Sequence, residues 1–242
     1  MRRNPTWLAA LLLAGCAADA GAGRSEPLGG PAHTLVVLRT LSSPPRGADG
    51  PTRVELGWRG PDGAVRPIPL GRPATAFLAW GDDAVAVDDQ RTLWLVRAGA
   101  APERIGEDAT GELATSPDGT QLAWVALAGD LGEVRVRTGR AASRVVARGL
   151  QSAGALRFSP DASAVLLRGA RLGGVAGLFV ADVATGRVTC LSNCGLRTGR
   201  PWGDQFVAGP GSAADLVFAG DSVSWSMPGG QRVARRWRGG AP

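Results

Sequence analysis

The chain has 242 residues, and its 27 basic residues, which are all arginine, exceed its 21 acidic residues to give a formal net charge of +6 at pH 7. Arginine without any lysine, together with the absence of tyrosine, is typical of the codon bias of a GC-rich genome, so the charge alone does not predict nucleic acid as a partner. The 44% hydrophobic content argues against disorder, and strand-length alternation without long helical periodicity favours an all-β fold.

The first fifteen residues have the layout of an export signal. Arg2 and Arg3 precede an apolar run over residues 7–13, which is shorter than the roughly 20 residues of a transmembrane helix. The sequence Leu-Ala-Gly-Cys at residues 13–16 resembles the lipobox of bacterial lipoproteins. That resemblance implies cleavage after residue 15 and lipidation of Cys16; the alternative is a plain secretory signal with an incidental cysteine.

Lipidation at Cys16 would make the protein membrane-anchored, because each buried CH₂ of an acyl chain contributes about 0.8 kcal/mol. By resemblance to enterobacterial lipoproteins, Ala17 in place of aspartate after the cysteine favours the outer membrane over the inner membrane. Residues 16–33 are rich in Ala, Gly and Pro, so they are predicted to form a flexible tether. Residues 34–240 are predicted to form the folded domain.

The first two predicted units follow the tether. Residues 33–39, 53–58 and 65–70 predict three strands, and Pro67 and Pro69 place the third at a sheet edge. The second unit predicts four strands, at residues 76–80, 84–87, 92–97 and 103–105.

A repeated turn organises the next two units. Ser116-Pro117-Asp118-Gly119 suits a type I turn position by position, and Ser159-Pro160-Asp161-Ala162 repeats it about 43 residues later. The strands predicted around the turns are residues 113–115, 121–127, 133–137 and 143–147 in the third unit, and residues 155–158, 164–168, 177–183 and 187–191 in the fourth. A fifth unit is predicted from residues 206–211, 216–219, 222–226 and 231–237. Such self-similarity predicts an array of four-stranded blades.

The two repeated turns, together with Phe-Val-Ala-Asp-Val-Ala-Thr-Gly-Arg at residues 179–187, resemble the repeat of TolB-type, WD-repeat-like β-propellers. The resemblance covers residues 76–237 and implies a β-propeller of about five four-stranded blades. Stacking of such blades buries sheet faces that no single blade can bury. The tryptophans in or beside strands are therefore expected in the cores between blades, with a ligand-stacking platform as the alternative; they are Trp58, Trp80, Trp94, Trp124 and Trp225.

Few residues offer catalytic chemistry. A Ser-His-Asp triad is not expected, because the only histidine, His33, lies at the edge of the tether, and the chain has no lysine for a Ser-Lys pair. The carboxylate pairs Asp82-Asp83 and Asp88-Asp89 are interpreted as turn residues, with calcium binding or acid–base catalysis as alternatives. No cofactor is predicted.

Two cysteines remain after Cys16. Cys190 and Cys194 lie close in sequence in a chain predicted to be exported, so a local disulfide is expected. Free thiols are the alternative.

These observations favour a non-catalytic binding or scaffold lipoprotein of the bacterial envelope. The turns holding Asp82, Asp118 and Asp161 are expected to share one face near the propeller axis, where an envelope protein or polymer would bind. A further set of outer-strand arginines is expected toward the rim, namely Arg135, Arg137, Arg232, Arg235 and Arg236. The alternative function is a carboxylate-dependent or metal-binding propeller enzyme, such as a glycosidase.

Overall fold

The computed structural model describes residues 33–42, 51–197, 216–227 and 230–238. The predicted signal peptide, the lipobox, the tether up to residue 32 and the predicted strand at residues 206–211 lie outside these ranges. Within the four ranges, no helix has the length and apolar character needed to cross a bilayer.

The described residues fold into antiparallel strands, which confirms the all-β prediction. The strands are β1 (Thr34–Ser42), β2 (Arg53–Arg59), β3 (Val65–Pro67), β4 (Ala74–Trp80), β5 (Asp83–Asp88), β6 (Leu93–Val96), β7 (Glu103–Gly106), β8 (Ala109–Thr115), β9 (Gln121–Ala128), β10 (Leu131–Thr138), β11 (Arg144–Phe158), β12 (Ala164–Arg171), β13 (Gly177–Asp182), β14 (Val188–Cys190), β15 (Val217–Ala219), β16 (Ser222–Ser226) and β17 (Arg232–Arg236).

The strands form consecutive meanders of the size of a propeller blade. The second blade is β4-β5-β6-β7, the third runs from β8 through β9 and β10 into β11, and the fourth continues from β11 through β12 and β13 to β14. The first blade contains β1, β2 and β3, and the fifth contains β15, β16 and β17. The first strands of the middle blades are neighbours, because β8 contacts both β4 and β11. This radial order of first strands is that of a β-propeller.

Each pair of consecutive blades encloses its own apolar core. In β12, Val165 and Leu167 face the core shared with the third blade, whereas Ala164 and Leu166 face the core shared with the fifth. Alternate side chains of a strand point to opposite faces of its sheet, so one strand supplies two cores. The expectation that tryptophans fill these cores is confirmed for Trp58, Trp80, Trp124 and Trp225, which are buried in them.

Two features of the strands differ from the prediction. The separate strands predicted at residues 143–147 and 155–158 are parts of one strand, β11, which pairs with β10 through its first half and with β12 through its second. Gly149 and Ala155 have positive φ in β11, so the strand changes partner through local irregularities instead of a loop. The strand predicted at residues 65–70 ends at Pro67, because Pro67 and Pro69 cannot donate ladder hydrogen bonds.

The repeated turn closes in the same way in both copies. The amide of Gly119 donates to the carbonyl of Ser116, and the amide of Ala162 donates to the carbonyl of Ser159. Both hydrogen bonds are 2.9 Å long. Gly119 has φ +69° and Ala162 has φ +57°. An alanine in this left-handed region is strained by roughly 1–2 kcal/mol, so the fourth blade holds a strained turn where the third blade has glycine.

We expect Ala162→Gly to leave the free energy of unfolding nearly unchanged, because relief of the left-handed strain offsets the lost methyl burial and the added chain entropy. Ala164→Gly is the matched control, since Ala164 is fully buried in the adjoining strand and has no positive φ to relieve. The control should cost roughly 1–2 kcal/mol more than Ala162→Gly. Urea unfolding of both variants measures the difference, and equal losses would contradict the strained turn.

Candidate functional site

The turn between β8 and β9 is held by a side-chain network. The hydroxyl of Ser116 donates to Oδ1 of Asp118 at 2.5 Å and accepts the amide of Gln121 at 2.8 Å. The amide and hydroxyl of Thr120 donate to Oδ1 and Oδ2 of the same aspartate, at 3.1 and 2.8 Å. The serine therefore ties the aspartate of the turn to the start of β9.

The turn between β11 and β12 repeats this network. The hydroxyl of Ser159 donates to Oδ1 of Asp161 at 2.7 Å and accepts the amide of Ala164 at 3.0 Å. The amide and hydroxyl of Ser163 donate to Oδ1 of Asp161, at 3.2 and 2.8 Å. The repeat therefore extends beyond the predicted Ser-Pro-Asp core to a fifth position, which the sequence-based prediction did not include. The shared hydroxyl of Thr120 and Ser163 was the available signal.

Hydrogen bonding keeps both aspartates ionised. The Ser116 hydroxyl, followed by the amide and hydroxyl of Thr120, lowers the pKa of Asp118 below its usual value. The Ser159 hydroxyl, followed by Arg238 and Ser163, lowers the pKa of Asp161 strongly against the opposing effect of burial. Both carboxylates therefore act as fixed acceptors within their turns.

The structure brings the three predicted turns into a row. A Cβ placed on Gly81, next to Asp82, would lie 3.7 Å from the carbonyl oxygen of Gly119, so the turns of the second and third blades are in contact. The side-chain amide of Gln121 donates to the carbonyl of Ala162 at 3.2 Å, which joins the third turn to the fourth. Asp82, Asp118 and Asp161 thus lie along one edge, and we call the row of their turns the turn face.

The end of the fifth blade reaches the turn face. One Nη of Arg238 lies 2.5 Å from Oδ2 of Asp161 and also donates to the hydroxyl of Ser163. The guanidinium stacks over the Trp237 ring, with Cζ 4.4 Å from the ring centroid. A cleft of about 320 Å³ lies beside this contact and includes Asp161, Gln121 and Asp182 in its walls.

The other aspartates considered as calcium ligands or acid–base groups have hydrogen-bond or ion-pair partners within the fold. Oδ1 of Asp88 accepts the amides of Gln90 and Thr92, and its Oδ2 accepts Nε1 of Trp94, each at 2.9 Å. Asp89 faces Arg72 at 3.6 Å and Asp83 faces Arg97 at 3.4 Å. No cluster of three or more His, Cys, Asp or Glu side chains suited to a metal ion occurs in the described part of the chain. The interpretation of these carboxylates as turn residues fits their contacts.

The predicted rim arginines are not a uniform set. Arg232, Arg235 and Arg236 are exposed on β17. Arg137 is buried, and its guanidinium donates to the carbonyl of Gly139 at 3.0 Å and lies 3.7 Å from Glu103 of the second blade. Arg137 therefore bridges the second and third blades and does not lie open to solvent as the arginines of β17 do. Arg135 is half-buried beside Glu133.

The two cysteines predicted to pair lie together in the structure. The sulfur atoms of Cys190 and Cys194 are 2.08 Å apart, at bonding distance. Cys190 ends β14, and the loop that follows bridges back to Gly174 through Arg197. The covalent link would hold this loop against the fourth blade.

No protein-family model matches the sequence, and no curated protein matches it. Among solved structures, the chain is similar to TolB from Acinetobacter baumannii, with a TM-score of 0.47 and 17% identity over 85% of this chain and 50% of that one. It is also similar to a chain of a nidogen/laminin complex (TM-score 0.44, 15% identity, 72% of this chain and 64% of that one). A third similar structure is a puromycin-hydrolyzing peptidase from Mycobacterium tuberculosis, with a TM-score of 0.46 and 15% identity over 81% of this chain and 35% of that one. The chain spans half the length of the TolB structure, so its function is argued below from its own residues.

The lowered pKa of Asp161 predicts a pH-dependent contribution to stability. An aspartate whose pKa is lower in the folded state than in the unfolded state stabilises the fold at pH values above its unfolded pKa of about 3.9. This stabilisation is lost as the pH falls from there toward the folded-state pKa. Asp161→Asn should therefore lower the free energy of unfolding at pH 7 by on the order of 1 kcal/mol. The difference from wild type should shrink below about pH 4.

Urea unfolding at pH 7 and at pH 3 measures this difference. Asp130→Asn, at the exposed tip of the β9–β10 hairpin, serves as the control and should change stability little at either pH. A loss for Asp161→Asn that is the same at both pH values would show that the charge of Asp161 does not hold the turn.

Proposed function

We propose that this chain is a non-catalytic binding or scaffold lipoprotein of the bacterial cell envelope, which engages an envelope protein or polymer through the turn face. The observation that carries the proposal is the continuous contact from Gly81 through Gly119 and Gln121 to Ala162. It makes turns from three blades one surface. Loops fixed on a rigid scaffold are a common location for recognition.

The chemistry of the turn face supports recognition by shape. Asp118 and Asp161 are occupied by hydrogen bonds within their turns, so their role is to keep the surface rigid. The exposed groups of the turns include Asp82, Pro117 and Pro160. A rigid surface with prolines loses little conformational entropy on binding, which favours affinity.

The arginines of β17 would add a charge component to the same interaction. Arg232, Arg235 and Arg236 are exposed, and the chain is positive overall. Attraction between exposed charges extends over a Debye length of about 8 Å at physiological ionic strength. These arginines would therefore speed association with an acidic partner in a salt-sensitive manner.

The alternative of a carboxylate-dependent enzyme has less support. Oδ1 of Asp88 accepts an amide of its own loop and Oδ2 accepts the indole N–H of Trp94 on β6, and Asp83 and Asp89 face arginines. A general acid or nucleophile needs a carboxyl group free to meet substrate. We therefore propose no catalytic role for these pairs.

The proposed location is the envelope, with the acylated Cys16 anchoring the chain and the outer membrane favoured by Ala17. We expect the full chain to incorporate an alkyne fatty acid in a bacterial host and to fractionate with membranes. Cys16→Ala should abolish both, because the thiol is the acylation site. Labelling is read by click chemistry and gel fluorescence.

The control for acylation is the double variant Cys190→Ala, Cys194→Ala, which removes the other two thiols. It should label as wild type does, because neither thiol lies in the lipobox. Equal labelling of Cys16→Ala and wild type would refute the anchor.

The turn face is tested by photo-crosslinking in cells. A photoreactive amino acid at Pro117 or Pro160 keeps the Ser–Asp hydrogen bonds of the turn, and each position should capture the same species. The control position is Asp130. The Ser116 turn precedes β9 and Asp130 follows β9, so the two lie at opposite ends of this strand. A probe at Asp130 should therefore capture no partner.

A probe at Arg235 separates the two surfaces. Capture from Arg235 alone would move the binding surface to β17. Equal capture from Asp130 and from the two prolines would show that the turn face has no specific partner.

A further inference from the structure

A large cleft lies in the first two blades, and Arg97 in its wall pairs with Asp83 in the turn of the second blade. Its volume is about 670 Å³, within the range of about 300–1,000 Å³ that small-molecule sites occupy. Its walls come from His33 before β1, from the end of β2 through the hairpin to residue 69, and from the β6–β7 loop at residues 96–101. The cleft is therefore formed by three separate segments.

The walls of this cleft are mainly apolar and stiff. Trp58, Ile68 and Val96 line it together with the prolines of the hairpin. The His33 ring packs edge-on against Trp58, with ring centroids 6.4 Å apart. Flat aromatic and proline surfaces lose little entropy when they are covered, so they suit an apolar ligand body.

One polar group in the wall has no partner. Trp58 is only 7% exposed, and its buried Nε1–H has no hydrogen-bond acceptor among the described residues. Trp94, in the same core, donates its Nε1–H to Asp88. A buried donor without an acceptor costs about 1–3 kcal/mol, and Trp124 and Trp237 carry the same unpaired donor. Trp58 therefore contributes its apolar ring to the wall, and its indole N–H does not select the ligand.

An exposed arginine gives the cleft wall a place for an anionic group. Arg97 is neutralised by Asp83 and Glu103, whereas the exposed carboxylate of Asp62 keeps its charge but is held in its own turn by the amide of Ala64. Arg66 lines the cleft, is exposed and has no ion-pair partner in the described ranges. The cation left to meet a ligand is thus an arginine, which binds carboxylate and sulfonate groups well.

We propose that this cleft binds an amphipathic organic anion, with its apolar body against Trp58 and Ile68 and its anionic group beside Arg66. The ligand class follows from the apolar walls and from Arg66, which has no ion-pair partner in the described ranges. The proposal does not depend on a partner at the turn face.

The test compares two fluorescent probes that differ in one charged group, 8-anilinonaphthalene-1-sulfonate and N-phenyl-1-naphthylamine. The full chain carrying Cys16→Ala is used, so that no detergent is needed to keep an acylated protein soluble. The sulfonate probe should bind roughly two- to fivefold more tightly than the neutral probe, since exposed charge pairs contribute up to about 1 kcal/mol. The preference should fall at high salt.

Variants locate the binding. Arg66→Ala should remove the preference for the sulfonate without weakening the neutral probe, and Arg66→Lys should retain it. Ala100→Trp fills the cleft from an exposed loop position and should weaken both probes at least tenfold. Arg168→Ala, an exposed arginine of the fourth blade, is the control and should change neither.

Full binding of both probes by Ala100→Trp would overturn the site. Equal affinity of wild type for the two probes, or a sulfonate preference that survives Arg66→Ala, would overturn the choice of an anion. Circular dichroism and the urea midpoint of each variant establish that it is folded, and Arg66→Ala tests the charge without altering the core.

Discussion

The structure depends on the requirement that each middle sheet bury both of its faces. Ala123 and Val125 of β9 enter the core between the third and fourth blades, while Leu122 and Trp124 of the same strand enter the core between the second and third. A four-stranded sheet alone would leave both sets in water, at a cost of about 25 cal/mol per Å² of apolar area. Each blade is therefore stable only between neighbours, and stability is shared along the array.

This dependence also explains how a distant set of turns becomes one surface. Because the cores fix adjacent blades against each other, the turns that follow β4, β8 and β11 meet edge to edge. Polar bridges supplement the apolar cores, as Glu103 of the second blade lies between Arg97 of its own blade and Arg137 of the third. Recognition by the turn face would thus rest on packing that lies beneath it.

The sequence predicted the second and third blades well because their signals are local. Apolar runs over residues 84–87 and 121–127 and the repeated Ser-Pro-Asp turn specify strands and reversals without distant contacts. The sequence did not predict the continuity of β11, which has Gly149 and Ala155 in positive φ within the strand, nor the burial of Arg137, whose partner Glu103 is 34 residues earlier in the chain. Such pairings depend on which blades meet, which a local pattern does not contain.

The cleft of the first two blades shows how a departure from the repeat makes a site. Pro67 ends β3 after three residues, and Pro69 follows in the segment that lines the cleft. The amide of Ile68 still donates to the carbonyl of Leu56 in β2, but Pro67 and Pro69 on either side have no N–H with which to extend a regular ladder. The gap between this hairpin and the β6–β7 loop is left unfilled beside Trp58, which is otherwise a core residue. Trp58 thus belongs both to the core of the first two blades and to the wall of the cleft, at the point where the regular pattern stops.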